Sequence, residues 1–466
     1  MSVIIKQSSV PLEMAPKLET ALTVKSIPPQ RFGNSPKDFV AQQFQSQSQK
    51  IIHAFDGYKV GNKTYICLPF SFYYHHLAEK FPREALPNHQ QKRMRFQGDL
   101  LPRQQEIREE ALEILSRTGS LLLCLHTGFG KTIFTLYLAS RIGLKVLVLC
   151  HRAIIIQQWI ESAAKYLPSL SSATLSMTEV NKGETYANAD ILVANVLLIP
   201  KISRDILTQF GCVIVDEVHT ICTEQFSKAL FSLVPSYLIG LSATPFRSDG
   251  MDRLLELYIG PEMITRKMTR KFNAYRFPTQ FTPEVEETFD GKMNWNAVLE
   301  SQALSRQRNV LICKLVWYFA SKRTILVLVK RTDHATELKR MLLSLRIDVD
   351  CFMGGAKQAN YNCRVLIATY SKGGVGFDHP KLDMLITGAD VEENFMQYLG
   401  RVFRRDDQVP IYVDLRDNLP VMARHAQTRL KICKDVGGTV LDFARVFHSF
   451  SLYTSWINTI DFDASV

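Results

Sequence analysis

The sequence predicts an α/β protein: two parallel-sheet domains in tandem, behind a small N-terminal accessory domain. Three observations carry that prediction. Short apolar runs recur without the alternation of a half-exposed strand, helical patterns separate them, and the same rhythm starts again after residue 305. Continuous apolar strands spaced by helices indicate a parallel sheet covered on both faces.

Taken in order, residues 1 to about 48 are rich in Ser, Gln, Pro and Lys, and read as a flexible arm with no fold expected over the first 25 or so. From 50 to 98 the composition turns aromatic. YKVGNKTYICLPF predicts a hairpin turning at Gly61-Asn62, and FSFYYHHLAEKF predicts a helix, so 1–98 is arm plus accessory domain. The first α/β domain, 99–260, takes its strands from LLLCL (121–125), KVLVLC (145–150), DILVAN (190–195), CVIVDE (212–217) and YLIGLSAT (237–244). The second, 305–420, takes them from TILVLV (324–329), DVDCFM (348–353), RVLIAT (364–369), DMLITG (383–388) and PIYVDL (410–415). Residues 261–304 lack this rhythm, begin with Arg266, Lys267, Arg270 and Lys271, and read as a linker or insertion. The extension 421–466 carries a basic helix, ARHAQTRLKICKD, and an aromatic segment, FARVFHSFSLYTSW, expected to pack back on a domain.

Composition bounds the function. The 466 residues suffice for roughly three domains, and 46% hydrophobic with 22% charged residues excludes collagen-like, coiled-coil and wholly disordered chains. Lys plus Arg number 56 against 45 acidic residues, a net +11, which favours polyanions: nucleic acid first, phosphorylated ligands second. Nine dispersed cysteines without a C-x-x-C pair point to a reducing, intracellular setting. Cys124, Cys150 and Cys212 lie in apolar runs as small buried hydrophobes. No stretch is apolar enough for a signal peptide or a membrane span, so membrane partners are not expected.

The motifs carry the chemistry. His126-Thr127-Gly128-Phe129-Gly130-Lys131-Thr132 follows an apolar strand and precedes an apolar helix, the context of a phosphate loop. Gly128 and Gly130 let backbone N–H groups approach phosphate oxygens, Lys131 reaches the β and γ phosphates, and the Thr132 hydroxyl holds Mg²⁺. The pattern G-x-x-x-x-G-K-[ST] is broken at its first position by Leu125. Asp216-Glu217-Val218-His219 stands at the C-terminal end of strand CVIV, where parallel sheets place their ligands. There Asp216 would share the metal with Thr132, and Glu217 would orient and deprotonate the attacking water. The expected cofactors are therefore ATP and Mg²⁺.

With Pro102-Arg103-Gln104, GLSATPFRSDG, the Ala368-Thr369 run into SKGGVGFD, and Gln397-Tyr398-Leu399-Gly400-Arg401-Val402-Phe403-Arg404, the chain resembles the superfamily 2 DEAD/H-like helicases. The strings CHRAIIIQQW, DEVH and GLSATPFRSDGMDRLLELYIG are similar to UvsW-type phage helicases and, above all, to the transcript-release helicases of large cytoplasmic DNA viruses such as poxviruses. The resemblance covers about residues 65 to 420 and implies two tandem RecA-like domains. It gives Gln104 to the adenine and Thr127 and Phe129 to the nucleotide loop. Asp378 goes to the ribose side, and Ser242, Thr244, His219 and Gln397 to coupling. It also puts Thr369 on nucleic-acid phosphate, while Arg152, beside His151 at a strand end, is a further expected grip, with Asn195 and Lys330-Arg331. Arg404, with Arg401 beside it, becomes the finger that stabilises the phosphoryl transition state. The implied activity is nucleic-acid-stimulated ATP hydrolysis with unwinding, DNA ahead of RNA as track. The implied partners are transcription or replication machinery, in the host cytoplasm at virus factories and in the virion.

Three other readings compete. A duplex translocase would move without separating strands, because the motifs reveal no wedge. An ATP-gated nucleic-acid sensor would have no use for a water-orienting glutamate. A nuclease would need a carboxylate or His cluster beyond DEVH. His75-His76 lacks matching ligand spacing and belongs on an accessory helix rather than on a metal.

Overall fold

The computed structural model describes residues 2–26, 50–84, 89–126, 128–151, 153–175, 186–221, 223–242, 250–289, 291, 293–356, 358–374, 379–405, 407–447 and 456. The chain divides into two compact units, Met1–Arg266 and Lys267–Val466.

The first unit opens with β1 (Ser2–Lys6), α1 (Ala15–Leu22), β2 (Thr23–Lys25), β3 (Ile51–His53), β4 (Asp56–Val60), β5 (Lys63–Pro69) and α2 (Phe70–His76). The hairpin β4-β5 turns as expected, with Gly61 at φ +58. The first 25 residues, expected to have no fold, are instead structured. β1 runs antiparallel to β5 and β2 antiparallel to β3, while the Ser2 amide and hydroxyl bond the Leu233 and Phe231 carbonyls at 2.8 and 3.0 Å. Val3 and Ile5 bury one face against partners some sixty residues away, a non-local pairing that local composition does not reveal.

The rest of this unit includes α3 (Pro102–Gln105), α4 (Arg108–Thr118), β6 (Ser120–Leu125), α5 (Lys131–Ile142), β7 (Val146–Cys150), α6 (Ala153–Tyr166), β8 (Ser172–Leu175), β9 (Ile191–Asn195), β10 (Cys212–Val215), β11 (Tyr237–Ser242), α7 (Arg253–Tyr258) and β12 (Met263–Arg266), with two further short helices, Arg204–Leu207 and Glu224–Leu230. Seven strands form one parallel sheet in the order β12-β6-β11-β10-β7-β9-β8. The N-terminal layer shares an apolar core with one face of it, from Val3 and Phe70 through Leu147 and Leu192 to Leu254 and Tyr258. Gly260 sits at φ +106 where a Cβ would fall 2.4 Å from Ser71 Oγ, so glycine alone lets α2 pack this close.

The second unit contains β13 (Phe272–Pro278), α8 (Trp295–Leu304), α9 (Arg306–Ala320), β14 (Ile325–Val329), α10 (Thr332–Ser344), β15 (Val349–Phe352), β16 (Val365–Thr369), β17 (Met384–Thr387), α11 (Phe395–Leu399), β18 (Ile411–Arg416), α12 (Pro420–Asp435) and β19 (Gly438–Asp442). Its seven strands are also all parallel, ordered β15-β16-β14-β17-β18-β13-β19. β14 shows why such strands read as unbroken apolar runs. Ile325, Val327 and Val329 enter one core while Leu326 and Leu328 enter another on the opposite face.

The segment 261–304, expected as a linker or insertion, carries β12 at the edge of the first sheet and β13 inside the second. Its polar residues hid these strands: MITR is an edge strand, and FNAYRFP buries only part of its length. The C-terminal extension adds α12 and β19, and Phe443 and Trp456 pack into the core beside Phe277. Eight cysteines among the described residues are free thiols. Burial pushes the Cys124 thiol up to about 12, so at neutral pH it is packing material and not a thiolate.

Candidate nucleotide site

The site is built where β6 hands over to α5. After Leu125 the chain turns, with the Phe129 amide donating to the His126 carbonyl at 3.2 Å. Gly128 and Gly130 take φ +86 and +88. A Cβ at Gly130 would stand 2.5 Å from Gln104 Nε2, so both backbone geometry and space demand glycine there. The loop ends at the N-terminus of a twelve-residue helix, whose unpaired amides and dipole favour an anion. Lys131 Nζ donates to the Leu125 carbonyl at 3.0 Å. The residue that departs from the glycine pattern thus contributes through its backbone. Thr132 is half-buried one residue into the helix.

Two side chains from α3 brace this loop. Gln104, wholly buried, accepts from the Leu101 amide at 2.9 Å and donates through Nε2 to the Phe129 and Gly130 carbonyls at 3.2 and 3.1 Å. Arg103 donates to the Phe129 carbonyl at 3.2 Å and the Gly128 carbonyl at 2.9 Å. In the sequence Arg103 is only one letter of PRQQ, and nothing in that string signals that it clasps the loop.

Asp216 and Glu217 follow β10, and the Asp216 amide extends the strand ladder to the Leu149 carbonyl at 2.9 Å. Both carboxylate oxygens of Asp216 are engaged: Oδ2 accepts from Trp159 Nε1 at 2.8 Å and Oδ1 from the Glu217 amide at 2.9 Å. Burial, and secondarily the Glu217 charge, push its pKa up, while the Trp159 bond and the Lys131 charge oppose that rise. Glu217 adopts φ +49, a left-handed backbone that costs a non-glycine residue of order 1 kcal/mol or more. Its Oε2 is buried without a hydrogen-bond partner among the described residues and lies 3.6 Å from His219 Nδ1. That ring nitrogen is also 3.3 Å from Ser242 Oγ at the end of β11. Glu217, His219 and Ser242 thus form a continuous line from the acidic pair to the strand end expected to carry coupling. Trp159 is another residue that sequence reasoning left without a role.

A magnesium nucleotide fits these residues. The glycine-walled loop, Lys131, the Thr132 hydroxyl and the Asp216 carboxylate would be its donor set, and Glu217 Oε2 is buried with no hydrogen-bond partner among the described residues. Among the described residues no group of three or more His, Cys, Asp or Glu gathers as a metal site, and no helix is long and apolar enough to cross a membrane.

Other expected residues lie at strand ends. Asn195 Nδ2 donates to the His151 carbonyl at 3.4 Å, joining the ends of β9 and β7. In the second unit Thr369 is buried at the end of β16, its hydroxyl 3.1 Å from Ser371 Oγ. Gln397 is buried in α11, and Arg401, also buried, donates to the Gly374 carbonyl, which joins the arginine motif to the glycine-rich turn after β16. Arg404 is half-buried just beyond. Arg331, expected to grip nucleic acid, has its guanidinium held by Asp333 at 2.6 Å. Thr127, Arg152, Thr244 and Asp378 lie outside the described residues.

A buried network supports the arginine motif. Arg429 of α12 donates to Asp414 and Asp390, both at 2.8 Å, and to the Val391 carbonyl at 2.6 Å, fixing the chain that leads into α11.

Comparison with known proteins accords with this geometry. Residues 97–247 match the family described as type III restriction enzyme, res subunit. A protein named as a helicase, 161L of Invertebrate iridescent virus 6, is 38% identical over 372 residues, covering 75% of this chain and 84% of that protein. Another so named, 055L of Frog virus 3, is 30% identical over 387 residues, covering 82% and 86%. Among solved structures, S. cerevisiae Dbp5 bound to RNA and ADP BeF3 shares the fold at a TM-score of 0.55 and 15% identity, over 77% of this chain and 98% of that one. With both parallel sheets in place and relatives this similar over most of their length, the chain belongs to the superfamily 2 helicases of large DNA viruses.

Proposed function

We propose that the chain is an ATP-dependent helicase whose hydrolysis is stimulated by nucleic acid. It would step along DNA, or less favourably RNA, and separate its strands during viral transcription or genome maintenance. The observation that carries this reading is Glu217, held at a strained φ of +49 just after β10, with a buried carboxylate oxygen that accepts no hydrogen bond among the described residues. A binding-only protein has no need for such a group, whereas hydrolysis needs one to orient water.

The roles follow from chemistry. Loop amides from Gly128 to Thr132 and the Lys131 ammonium hold the phosphates, and Thr132 with Asp216 holds magnesium. Magnesium, when bound, neutralises charge shared between the β and γ phosphates. Glu217 orients the attacking water and takes its proton. His219 and Ser242 report the state of Glu217 to the strand end, and Arg401 and Arg404 supply positive charge to the transition state. Gln104, by holding the loop's carbonyls, makes the loop's shape depend on α3, and its reading of adenine belongs to the same proposal. The yeast neighbour is bound to RNA, so RNA stays among the candidate tracks. The net charge of +11 suits a phosphate-directed, sequence-independent grip.

The test is steady-state ATP hydrolysis by the full chain alone and with single-stranded DNA, duplex DNA, a 3′-tailed duplex or RNA, at low and moderate salt, with strand separation followed in parallel. Stimulation that weakens as salt rises, with separation of the tailed duplex, is the expected result. Stimulation without separation would make the chain a duplex translocase. ATP binding without stimulation by any track would overturn the motor reading in favour of a sensor.

A further inference from the structure

Trp159 offers the observation that the proposed mechanism has not used. It lies on α6 with 1% of its surface exposed, and its one polar atom, Nε1, donates to Asp216 Oδ2 at 2.8 Å. A buried indole N–H left without an acceptor loses its hydration uncompensated, so this bond is firmly kept. The backbone amide of Glu217 takes the other oxygen, and two donors on opposite oxygens fix the plane in which the carboxylate faces a metal. Outer partners of this kind orient the ligand and tune the metal's affinity.

The helix bearing Trp159 starts at Ala153, two residues after His151. The His151 carbonyl is bonded to Asn195, and both residues stand at strand ends proposed to grip nucleic acid. From the head of α6 to Trp159 is six residues, about 9 Å of helix. A rigid helix thus has one end at the proposed track and a side chain on the proposed magnesium carboxylate.

We propose that Trp159 is a positioning residue for Asp216, and that α6 transmits nucleic-acid engagement at its head to the magnesium site. This rests on the reading of Asp216 as the metal-side carboxylate.

The experiment measures Mn²⁺ binding to the full chain with ADP by electron paramagnetic resonance, with and without an oligothymidylate, for the wild type and Trp159→Phe. Loss of an outer partner predicts Mn²⁺ affinity weakened about tenfold in Trp159→Phe, with metal-free ADP affinity unchanged. In steady-state assays the same change should lower kcat with the KM for ATP preserved. The oligonucleotide should tighten Mn²⁺ in the wild type and not in the variant. Equal Mn²⁺ affinity in both proteins overturns the positioning role, and an oligonucleotide response retained in the variant overturns the transmission. A wild type that binds no Mn²⁺ with ADP overturns the nucleotide-site reading itself and this inference with it, a result distinct from the other two. Should Trp159→Phe fail to fold, the indole N–H resonances of ¹⁵N-labelled protein provide the test. One of the four tryptophan signals should move in Asp216→Asn, and a spectrum in which none moves overturns the inference.

Discussion

At the scale of single residues, Glu217 and Lys131 make opposite demands on the nucleotide. Glu217→Gln keeps the shape of the side chain but removes its basicity, so turnover should fall by about 10²- to 10⁴-fold while ATP binding persists. Lys131→Ala removes the charge that meets the phosphates, and both binding and turnover should be lost. Nucleotide titration beside a hydrolysis assay separates the two, and normal turnover by either folded variant would remove the site assignment. Arg404→Ala should lower kcat by about 10³-fold with ATP affinity nearly intact, because a finger acts on charge that develops in the transition state. A tenfold loss of affinity with unchanged kcat would make it a ground-state contact. His334, buried in the second unit, contributes to acid stability. Its Nε2 donates to Asn309 Oδ1 at 2.9 Å inside the second unit, and burial, then the Arg308 charge, lower its pKa to about 3. A folded-state pKa below the ordinary value of about 6.5 means that the unfolded chain takes up a proton that the folded one refuses. Stability from this group is therefore complete above about pH 6.5 and declines by about 1.4 kcal/mol per pH unit as pH falls toward 3. Urea melts at pH 7 and 5 should show that decline reduced in His334→Gln, and an unchanged pH slope would count against it.

At the scale of elements, the sequence was most legible where strands are buried on both faces. All ten apolar runs became strands, because residues such as Ile325 and Leu326 serve opposite cores and leave no polar position between them. The strands that escaped notice are β1, β2, β3, β8, β12, β13 and β19, and all of them except β13 lie at the edge of a sheet. β13 escaped because Asn273 and Arg276 interrupt its apolar positions and Pro278 ends it. The candidate phosphate-site residues stand out in the sequence for another reason: phosphate chemistry constrains residue type and spacing along the chain. Their supports were not. Arg103, Trp159 and Arg429 act on partners 25, 57 and 15 or more residues away, and only the folded sheet brings donor to acceptor. The Arg429 network shows how much such supports matter. Removing one partner of a buried ion pair typically costs about 3–5 kcal/mol because the other charge stays buried. Here that loss would fall on the chain leading into α11 and the arginine motif.

At the scale of the whole molecule, the two units differ from the apolar-run domains at their borders, and the difference can be measured. A first domain ending at residue 260 would lack β12, whose backbone pairs with β6 from Leu122 to Leu125. β6 would then become an open edge next to the phosphate loop, and an exposed apolar edge strand invites association with other chains. A fragment ending at Arg266 keeps the sheet closed by its own edge and retains the N-terminal layer on the shared core. The second unit has the same dependence at its other end. A fragment stopping at 420 would lose β19 from the flank of β13 and Arg429 from between Asp414 and Asp390, leaving two buried carboxylates without their counter-charge. Fragments 1–266 and 267–466 should therefore be soluble and melt cooperatively, whereas 1–260 and 305–420 should aggregate or melt at lower temperature. Circular dichroism melts and size-exclusion chromatography of the four fragments decide this. If 305–420 proved as stable as 267–466, then β13, β19 and the Arg429 network would be additions to the second unit and not parts of its fold.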